Sequence, residues 1–467
     1  MAIAGVTMVT KQVLDSPSSI HDYGTRIRNG ALTITDAIER CFAEIEKRND
    51  ELNIVIRCLH ERAEERGKVL EKELNSGSDR GLMHGVPIAV KDIFAISGHS
   101  PSAGSRSPIR FGNQESTVIK KLEASGAIIL GVLNLDEFAA GGTGSNAWYG
   151  RCKNPLDRRR MTGGSSSGSA AAISAGFCLA TIGSDAGGSI RIPAAFCGVC
   201  GLKPTYGRVS RFGSIPRTWS MDCIGPLTAN IEDLGIVLEA ISGHDVHDTT
   251  SVPENDFTWR VREIDDLPRI GYLAQIKDYG EDYSHYGKVL ESLERAGYQL
   301  KIKDLKKLDT YTEYHQRIVK SEAAAFHRAV LEGEVSNVST ETQDVLKPGG
   351  QILAIDYLQA LTQRDSLLAE FLDQVLNDVD VLVLPVSHEE APLYESGATK
   401  DAGLINQEFA KASIFTRFVN FLGLPAVSLP VGIGSAGMPT AVQLIARPFD
   451  ELRMLNIALQ MESLFAD

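Results

Sequence analysis

Glycine is the feature that most constrains this chain. Between Gly131 and Gly207 lie 15 of its 43 glycines, where even spacing along 467 residues would place about 7. Glycine adopts backbone conformations that a Cβ forbids and lets another group come close, at an entropic cost in ordering. A cluster this dense therefore marks tight turns built around something that must approach the backbone. Three runs stand out: GGTGSNA at Gly141 to Ala147, TGGSSSGSA at Thr162 to Ala170, and GSDAGGS at Gly183 to Ser189. Each could cradle a phosphate, yet none meets the full requirement. The first follows LDEFAA, which reads as helical, whereas a dinucleotide fingerprint follows a strand. The second lacks the lysine of a P-loop. The third lies between LATI, a strand end, and IRIPAAFCGVCGLKP. That setting puts Ser189 in a tight turn where backbone N–H groups converge.

Around this segment the pattern alternates helices and buried strands. Ala37, Ile38, Cys41, Phe42 and Ile45 recur at helical spacing, and Thr33 with Asp36 offers a capping start. A charged helix follows in HERAEERGKVLEKELN and stops before Gly77. GVPIAVK then reads as a buried strand ending at Lys91, and TVIKKLEASG with AIILGVLN as a helix, a glycine stop and a second buried strand. Such a rhythm predicts an α/β protein with a largely covered sheet. Acidic loops surround a strand at RIGYL and a helix at YGKVLESLERAG. Residues 310–375 read as mainly helical, and further strands are expected at VDVLVLPV and GLPAVSLPVG. With no repeat and no Gly/Ser- or Pro-rich linker, one large domain over residues 1–467 is expected. Within it fall N-terminal helices at about 15–80, a core at about 81–240 and a variable region at about 241–410.

The charge balance narrows the partners. Lys and Arg number 47 against 60 Asp and Glu, a net charge of −13, which disfavours binding nucleic acid or an anionic membrane surface. No apolar run approaches the ~20 residues of a membrane span. Residues 1–14, MAIAGVTMVTKQVL, lack a basic region ahead of an apolar core, so a cytoplasmic protein is expected. Seven cysteines at irregular positions (41, 58, 152, 178, 197, 200, 223) fit free thiols better than a disulfide framework. The pair Cys197 and Cys200 has no second ligand pair at zinc spacing, so it is expected to pack in the interior. No metal and no organic cofactor is implied.

The runs GVPIAVKD, GGSSSGSAAAISAG and GSDAGGSIRIPAAFCGVCGLKPTYGRVS, together with GLPAVSLPVG near the end, resemble the amidase signature family over most of the chain. The resemblance implies a single α/β/α sandwich with a mixed sheet covered by helices, and an amidohydrolase that cleaves a C–N bond through an acyl-enzyme. It implies Ser189 as nucleophile, Ser165 as the bridging serine of a Ser-cisSer-Lys triad, and Lys91 as base. Backbone N–H groups around Ala186, Gly187, Gly188 and Ser189 would then form an oxyanion hole, with the Ala139 to Thr143 backbone lining the site. Asp185 and Arg191 would pair to brace the turn.

Residue chemistry is compatible with this but does not decide it. Serine attacks an amide only when a base takes its proton, and no histidine lies in a comparable glycine-rich setting; His84, beside a turn, reads as surface or structural. At an ordinary pKa of ~10.4 only about one lysine in 2,500 is neutral at pH 7, and lowering it to ~7 takes about 4.6 kcal/mol. Burial can supply that. On the residues alone, Lys91 stays open between this role and an ion pair with Asp92.

Substrate is harder to read. The segments NLDEFAAG, SDAGGSIRIPAAFCG and GLKPTYGRVSRFG are similar to those of the A subunits of tRNA-dependent glutamine amidotransferase within the family. Where those subunits have ADIFT, whose Asp holds an α-ammonium, this chain has Ala412-Ser413-Ile414-Phe415-Thr416. Their arginine segment is replaced by DVLKPGGQILAIDYLQA. The expectation is therefore a small neutral, aryl/alkyl or urea-like amide, the alternative being the glutaminase subunit. Trp219, Tyr311, Tyr314, His315, Tyr357 and Phe415 are candidate pocket residues, although aromatics there more often build core. The resemblance further implies a homodimer or homo-oligomer.

Overall fold

The computed structural model describes residues 18–107, 114–253, 256–262, 266–274, 276, 284–388, 390–394 and 411–465. The N-terminal segment 1–14 and part of the variable region, 395–410, lie outside the described residues.

Among the described residues, eleven strands form one sheet. They are β1 (Val55–Cys58), β2 (Pro87–Lys91), β3 (Ile128–Leu133), β4 (Ala180–Asp185), β5 (Cys200–Lys203), β6 (Cys223–Thr228), β7 (Arg269–Leu273), β8 (Gln299–Lys303), β9 (Val381–Pro385), β10 (Ala426–Ile433) and β11 (Pro439–Ile445). Their spatial order is β1-β3-β2-β4-β6-β5-β10-β11-β9-β7-β8. β2 runs parallel to both β3 and β4, β7 runs parallel to β8 and β9, and the central pairings from β4 to β9 are antiparallel. The sheet is thus mixed, as expected for an α/β protein of this kind. Every residue of β2, β3, β4, β5, β6, β9 and β11 is buried. Both faces are covered there, which explains why these strands read as continuous apolar runs instead of alternating ones.

Local signals account for the flanking helices. Thr33 caps the helix Ile34–Leu52 by accepting the Asp36 N–H, and Asn53 closes it at φ 56°; Asn is among the few side chains that tolerate this conformation. Ile34, Ala37, Ile38, Phe42 and Ile45 form its buried stripe. The helix Ser167–Ser174, SGSAAAIS, is buried on all sides, so small residues replace an amphipathic pattern. One expectation needs correction. LDEFAA is not an α-helix but a single 3-10 turn, Glu137–Ala139, with Phe138 and Ala139 at φ 55° and 53°. The Glu137 carboxylate fixes it, accepting from Ser105 Oγ at 2.5 Å, Trp148 Nε1 at 2.8 Å and the Ser339 N–H at 3.0 Å.

All seven cysteines are free thiols. Cys197 and Cys200 are buried and point to different partners, the Thr162 carbonyl and the Glu462 carboxyl. Among the described residues, no group of His, Cys, Asp and Glu is arranged to hold a metal, and no helix is long and apolar enough to cross a membrane.

Candidate active site

Lys91 ends β2, and Ser184 and Asp185 end the adjacent parallel strand β4. Parallel neighbours bring their carboxyl ends together, the place where open α/β sheets collect ligands. Successive side chains on a strand point to opposite faces, and Lys91 and Asp92 separate accordingly. Asp92 binds the His99 ring at 3.1 Å, the Ser102 N–H at 3.2 Å and the Ser102 hydroxyl. Lys91 turns inward and is fully buried. Its Nζ lies 2.7 Å from Ser165 Oγ, 3.1 Å from Ser166 Oγ and 3.0 Å from Ser184 Oγ. Burial pulls its pKa down to about 7 against the opposing pull of Asp136, Asp222 and Asp185. The ion pair with Asp92 that the sequence left open does not form.

Ser165 follows a cis peptide bond, Gly164–Ser165. Glycine is required just before it, because a Cβ at Gly164 would collide with the Asp136 carboxylate. Asp136 accepts the N–H groups of Thr143 and Gly144, each at 3.2 Å, and burial raises its pKa to about 6. This acid was overlooked in the sequence, although it lies within NLDEFAAG.

The turn carrying Ser189 is tied down on its outer side. Carbonyls of three successive residues are engaged: Asp185 by Asn420 Nδ2 at 2.8 Å, Ala186 by His315 Nε2 at 2.7 Å and Gly187 by Thr416 Oγ1 at 2.7 Å. In a planar trans peptide the N–H points opposite to the C=O, so these contacts also orient the N–H groups of Ala186 and Gly187. Asp185 and Arg191 form a fully buried bidentate pair at 3.0 and 3.1 Å. Burial alone would raise the Asp185 carboxyl, but Arg191 holds it far below the usual carboxylate range. Arg191 also reaches the Thr416 carbonyl, Asn420 and Gln443.

Gly188 departs from the sequence expectation. Its N–H donates to Asp185 Oδ1 at 2.7 Å, so it is not available to an oxyanion. What Gly188 supplies is φ 125° and closeness to Thr416, whose Oγ1 would stand 2.5 Å from an added Cβ. Ser189 is 7% exposed. Its carbonyl accepts the Ser166 N–H at 3.2 Å, which docks the two serine turns on each other. Among the described residues, no hydrogen bond joins the Ser165 and Ser189 hydroxyls directly.

Ser189 opens on a cavity of about 330 Å³. Ala139, Ala140, Gly141, Ala186 and Gly187 line it near the serine. Its outer wall includes His315 and Val319 of the helix Leu308–Phe326, and Asp344, Val345 and Pro348 from the DVLKPGG segment. Of the candidate aromatic positions, only His315 lines the cavity. Tyr311 stacks on Phe418 and Phe421, Tyr314 packs on Phe421, Phe415 is fully buried, Tyr357 donates to Glu322, and Trp219 is 41% exposed. His84 is buried and structural, bonded to the Leu70 carbonyl at 2.9 Å and the Arg80 N–H at 3.1 Å. Three basic residues that sequence reasoning missed, Arg217, Lys320 and Arg417, are in the lining. Arg417 directly follows the ASIFT segment, which was a usable pointer; Arg217 had none.

A glycine-built turn carrying Ser189 and a buried lysine held among serines thus meet at one end of a covered mixed sheet, and the comparisons place this arrangement among amide-hydrolysing enzymes. A family model described as Amidase matches residues 36–455, and the chain belongs to that family. It is 33% identical to the A subunit of glutamyl-tRNA(Gln) amidotransferase from Syntrophus aciditrophicus, over 95% of this chain and 96% of that protein. Among solved structures, an amidase superposes with a TM-score of 0.84 at 28% identity, over 95% of this chain and 99% of the other. A chain from a vestigial protein complex that reveals the evolutionary origins of an s-triazine catabolic enzyme superposes with a TM-score of 0.84 at 29% identity, over 95% of this chain and 98% of the other. The chain is an amidase-signature hydrolase.

Proposed function

We propose that Ser189 is the acyl-carrying nucleophile, Ser165 the proton relay and Lys91 the base. The observation that carries this is the hydrogen-bond arrangement around Lys91 Nζ. As an ammonium, Lys91 donates to all three hydroxyls. As a neutral amine it has two N–H groups and one lone pair. The Ser166 hydroxyl already donates to the Ser184 carbonyl at 3.0 Å, so it must accept one N–H. With the second N–H on Ser184, the lone pair is left for the Ser165 O–H at 2.7 Å.

In the reaction, Ser189 Oγ attacks the amide carbon while its proton passes to Ser165, whose own proton moves to Lys91. Negative charge on the former carbonyl oxygen is met by backbone N–H groups of the Ala186–Ser189 turn, Gly188 excepted. Removing one such donor typically costs about 2.7–4 kcal/mol of transition-state stabilisation. The C–N bond then breaks, the leaving nitrogen takes a proton from Ser165, and Lys91 refills the relay. Water attacks the ester, gives its proton through Ser165 to Lys91, and the departing Ser189 oxygen recovers one.

A second reading has its own support. The similarity to amidotransferase A subunits over nearly the whole chain favours glutamine as substrate and a partner protein over the free neutral amide expected from sequence. Both readings share the chemistry at Ser189. Ser189→Ala is expected to lower turnover of a panel of alkyl, aryl, urea-type and glutamine amides by about 10⁴-fold or more; intact turnover would reject the nucleophile. In the same panel, hydrolysis by the isolated chain supports a free-standing amidase. Glutaminase activity that appears only with co-purified partner proteins supports the amidotransferase role.

A further inference from the structure

The amide cleavage proposed at Ser189 leaves open which chemical group anchors the rest of the substrate, and the cavity wall speaks to that. Arg217 lines the cavity with Ser189, is 9% exposed, and has its Nη1 buried without a hydrogen-bond partner. Asp222 acts on it by charge, yet its carboxylate accepts the backbone N–H of Arg217 at 2.7 Å and that of Thr218 at 2.9 Å and leaves Nη1 without a hydrogen bond. Arg417 lines the same cavity, its Cγ 3.7 Å from where a Cβ on Gly187 would stand. Lys320 adds a third cation to the lining, whose one acid, Asp344, is paired with Lys347 at 2.7 Å.

A guanidinium presents a rigid fork of N–H donors that matches a carboxylate. Burying one with donors unmet is costly unless a partner arrives. Burial lowers the Arg217 pKa to about 10, which leaves it a cation at neutral pH. A neutral alkyl or aryl amide offers nothing to meet that charge.

We propose that the amide substrate carries a carboxylate, and that Arg217 is the specificity residue that binds it, with Arg417 adding attraction from the Gly187 side. A cavity of about 330 Å³ admits a small molecule, such as the monoamide of a short dicarboxylic acid or its α-amino derivative. The neutral amide expected from sequence is replaced by an anionic one.

The experiment compares kcat/KM for glutaric acid monoamide and its methyl ester, which differ in charge and share the scissile amide. The wild type is expected to favour the free acid by about 30-fold or more, the scale of losing one partner of a buried charge pair. Arg217→Gln is expected to bring the ratio to within about threefold of one, and Arg217→Lys to keep part of the preference. A ratio near one in the wild type, or an Arg217→Gln variant that slows both substrates alike, overturns the proposal. A second arm needs no turnover: calorimetric titration of glutarate into Ser189→Ala protein should show binding that the Ser189→Ala, Arg217→Gln double variant loses. Absence of binding to the first protein overturns the proposal. If Ser189→Ala keeps turnover while the acid preference holds, the nucleophile assignment fails and the carboxylate subsite stands; a flat ratio with turnover abolished gives the reverse. Glutamine, run beside the monoamide, reports whether an α-ammonium is read as well.

Discussion

Among the described residues, two lysines are fully buried at the carboxyl ends of strands, and they differ in what surrounds them. Lys91 ends β2 among three serine hydroxyls, while Lys203 ends β5 with Nζ 2.8 Å from the Pro204 carbonyl and 3.3 Å from Cys223 Sγ. Burial lowers the pKa of both. A hydroxyl can accept from an ammonium and donate to an amine, so the shell of Lys91 serves both protonation states. A carbonyl can only accept, so Lys203 always spends an N–H on Pro204. Burial makes a lysine titratable near neutrality, and amphoteric neighbours make the titration usable. By this criterion Lys203 is a brace.

The largest test of the contrast is to replace each lysine with methionine, which keeps most of the apolar stem. Lys91→Met is expected to lower kcat by about 10²–10⁴-fold, the usual range for a general acid–base group. Lys203→Met should leave kcat within about threefold and change unfolding instead, since the Pro204 carbonyl loses its donor at about 1–3 kcal/mol. Equal losses of kcat in steady-state assays of the two variants would break the comparison.

The next effect is in pH. Lys91 must be neutral to accept a proton, so kcat/KM should rise through a limb near pH 7, and Ser189→Ala protein should show the same titration without turnover. Stability follows with a definite sign. Between pH 7 and the ordinary lysine value of 10.5, the unfolded chain holds a proton on Lys91 that the folded chain lacks. Stability contributed here therefore rises with pH across that window. Chemical denaturation of wild type and Lys91→Met from pH 6.5 to 10 should show a shallower rise in the variant, and parallel curves would contradict the depressed pKa.

This contrast also separates what could be read from sequence. The alternation of strands and helices was legible because β2, β3 and β9 are buried on both faces and appear as unbroken apolar runs. The serine turns were legible because Gly163, Gly164, Gly187 and Gly188 cluster around Ser165 and Ser189. What stayed hidden depends on contacts distant in sequence. Arg217 reaches the cavity wall from a loop with no motif. His315 meets the Ala186 carbonyl across 129 positions, and its aromatic neighbours Tyr311 and Tyr314 share its composition but pack into the core. Gly188 was misassigned because a local motif cannot reveal whether an N–H is already taken, and here Asp185 takes it. Lys203 carried no signal at all, since its distinguishing partner, Cys223, is isolated in sequence.

The smallest effect probes the brace directly. Cys223 Sγ accepts from Lys203 and its thiol sits above the ordinary pKa because it is buried, with Lys203 opposing that rise. Cys223→Ala removes one acceptor and leaves a small void, while the 2.8 Å bond to the Pro204 carbonyl remains. A loss of about 1–2 kcal/mol in unfolding free energy is expected from those two effects, read by denaturant titration. The kinetic limb near pH 7 should not move, because no hydrogen bond connects Cys223 to the serines around Lys91. A displaced limb would mean that Lys203 is felt at the reacting centre, through Asp185, whose charge acts on both lysines. The two buried lysines would then form one coupled system, and the criterion of amphoteric neighbours would have to give way to the shared field of Asp185.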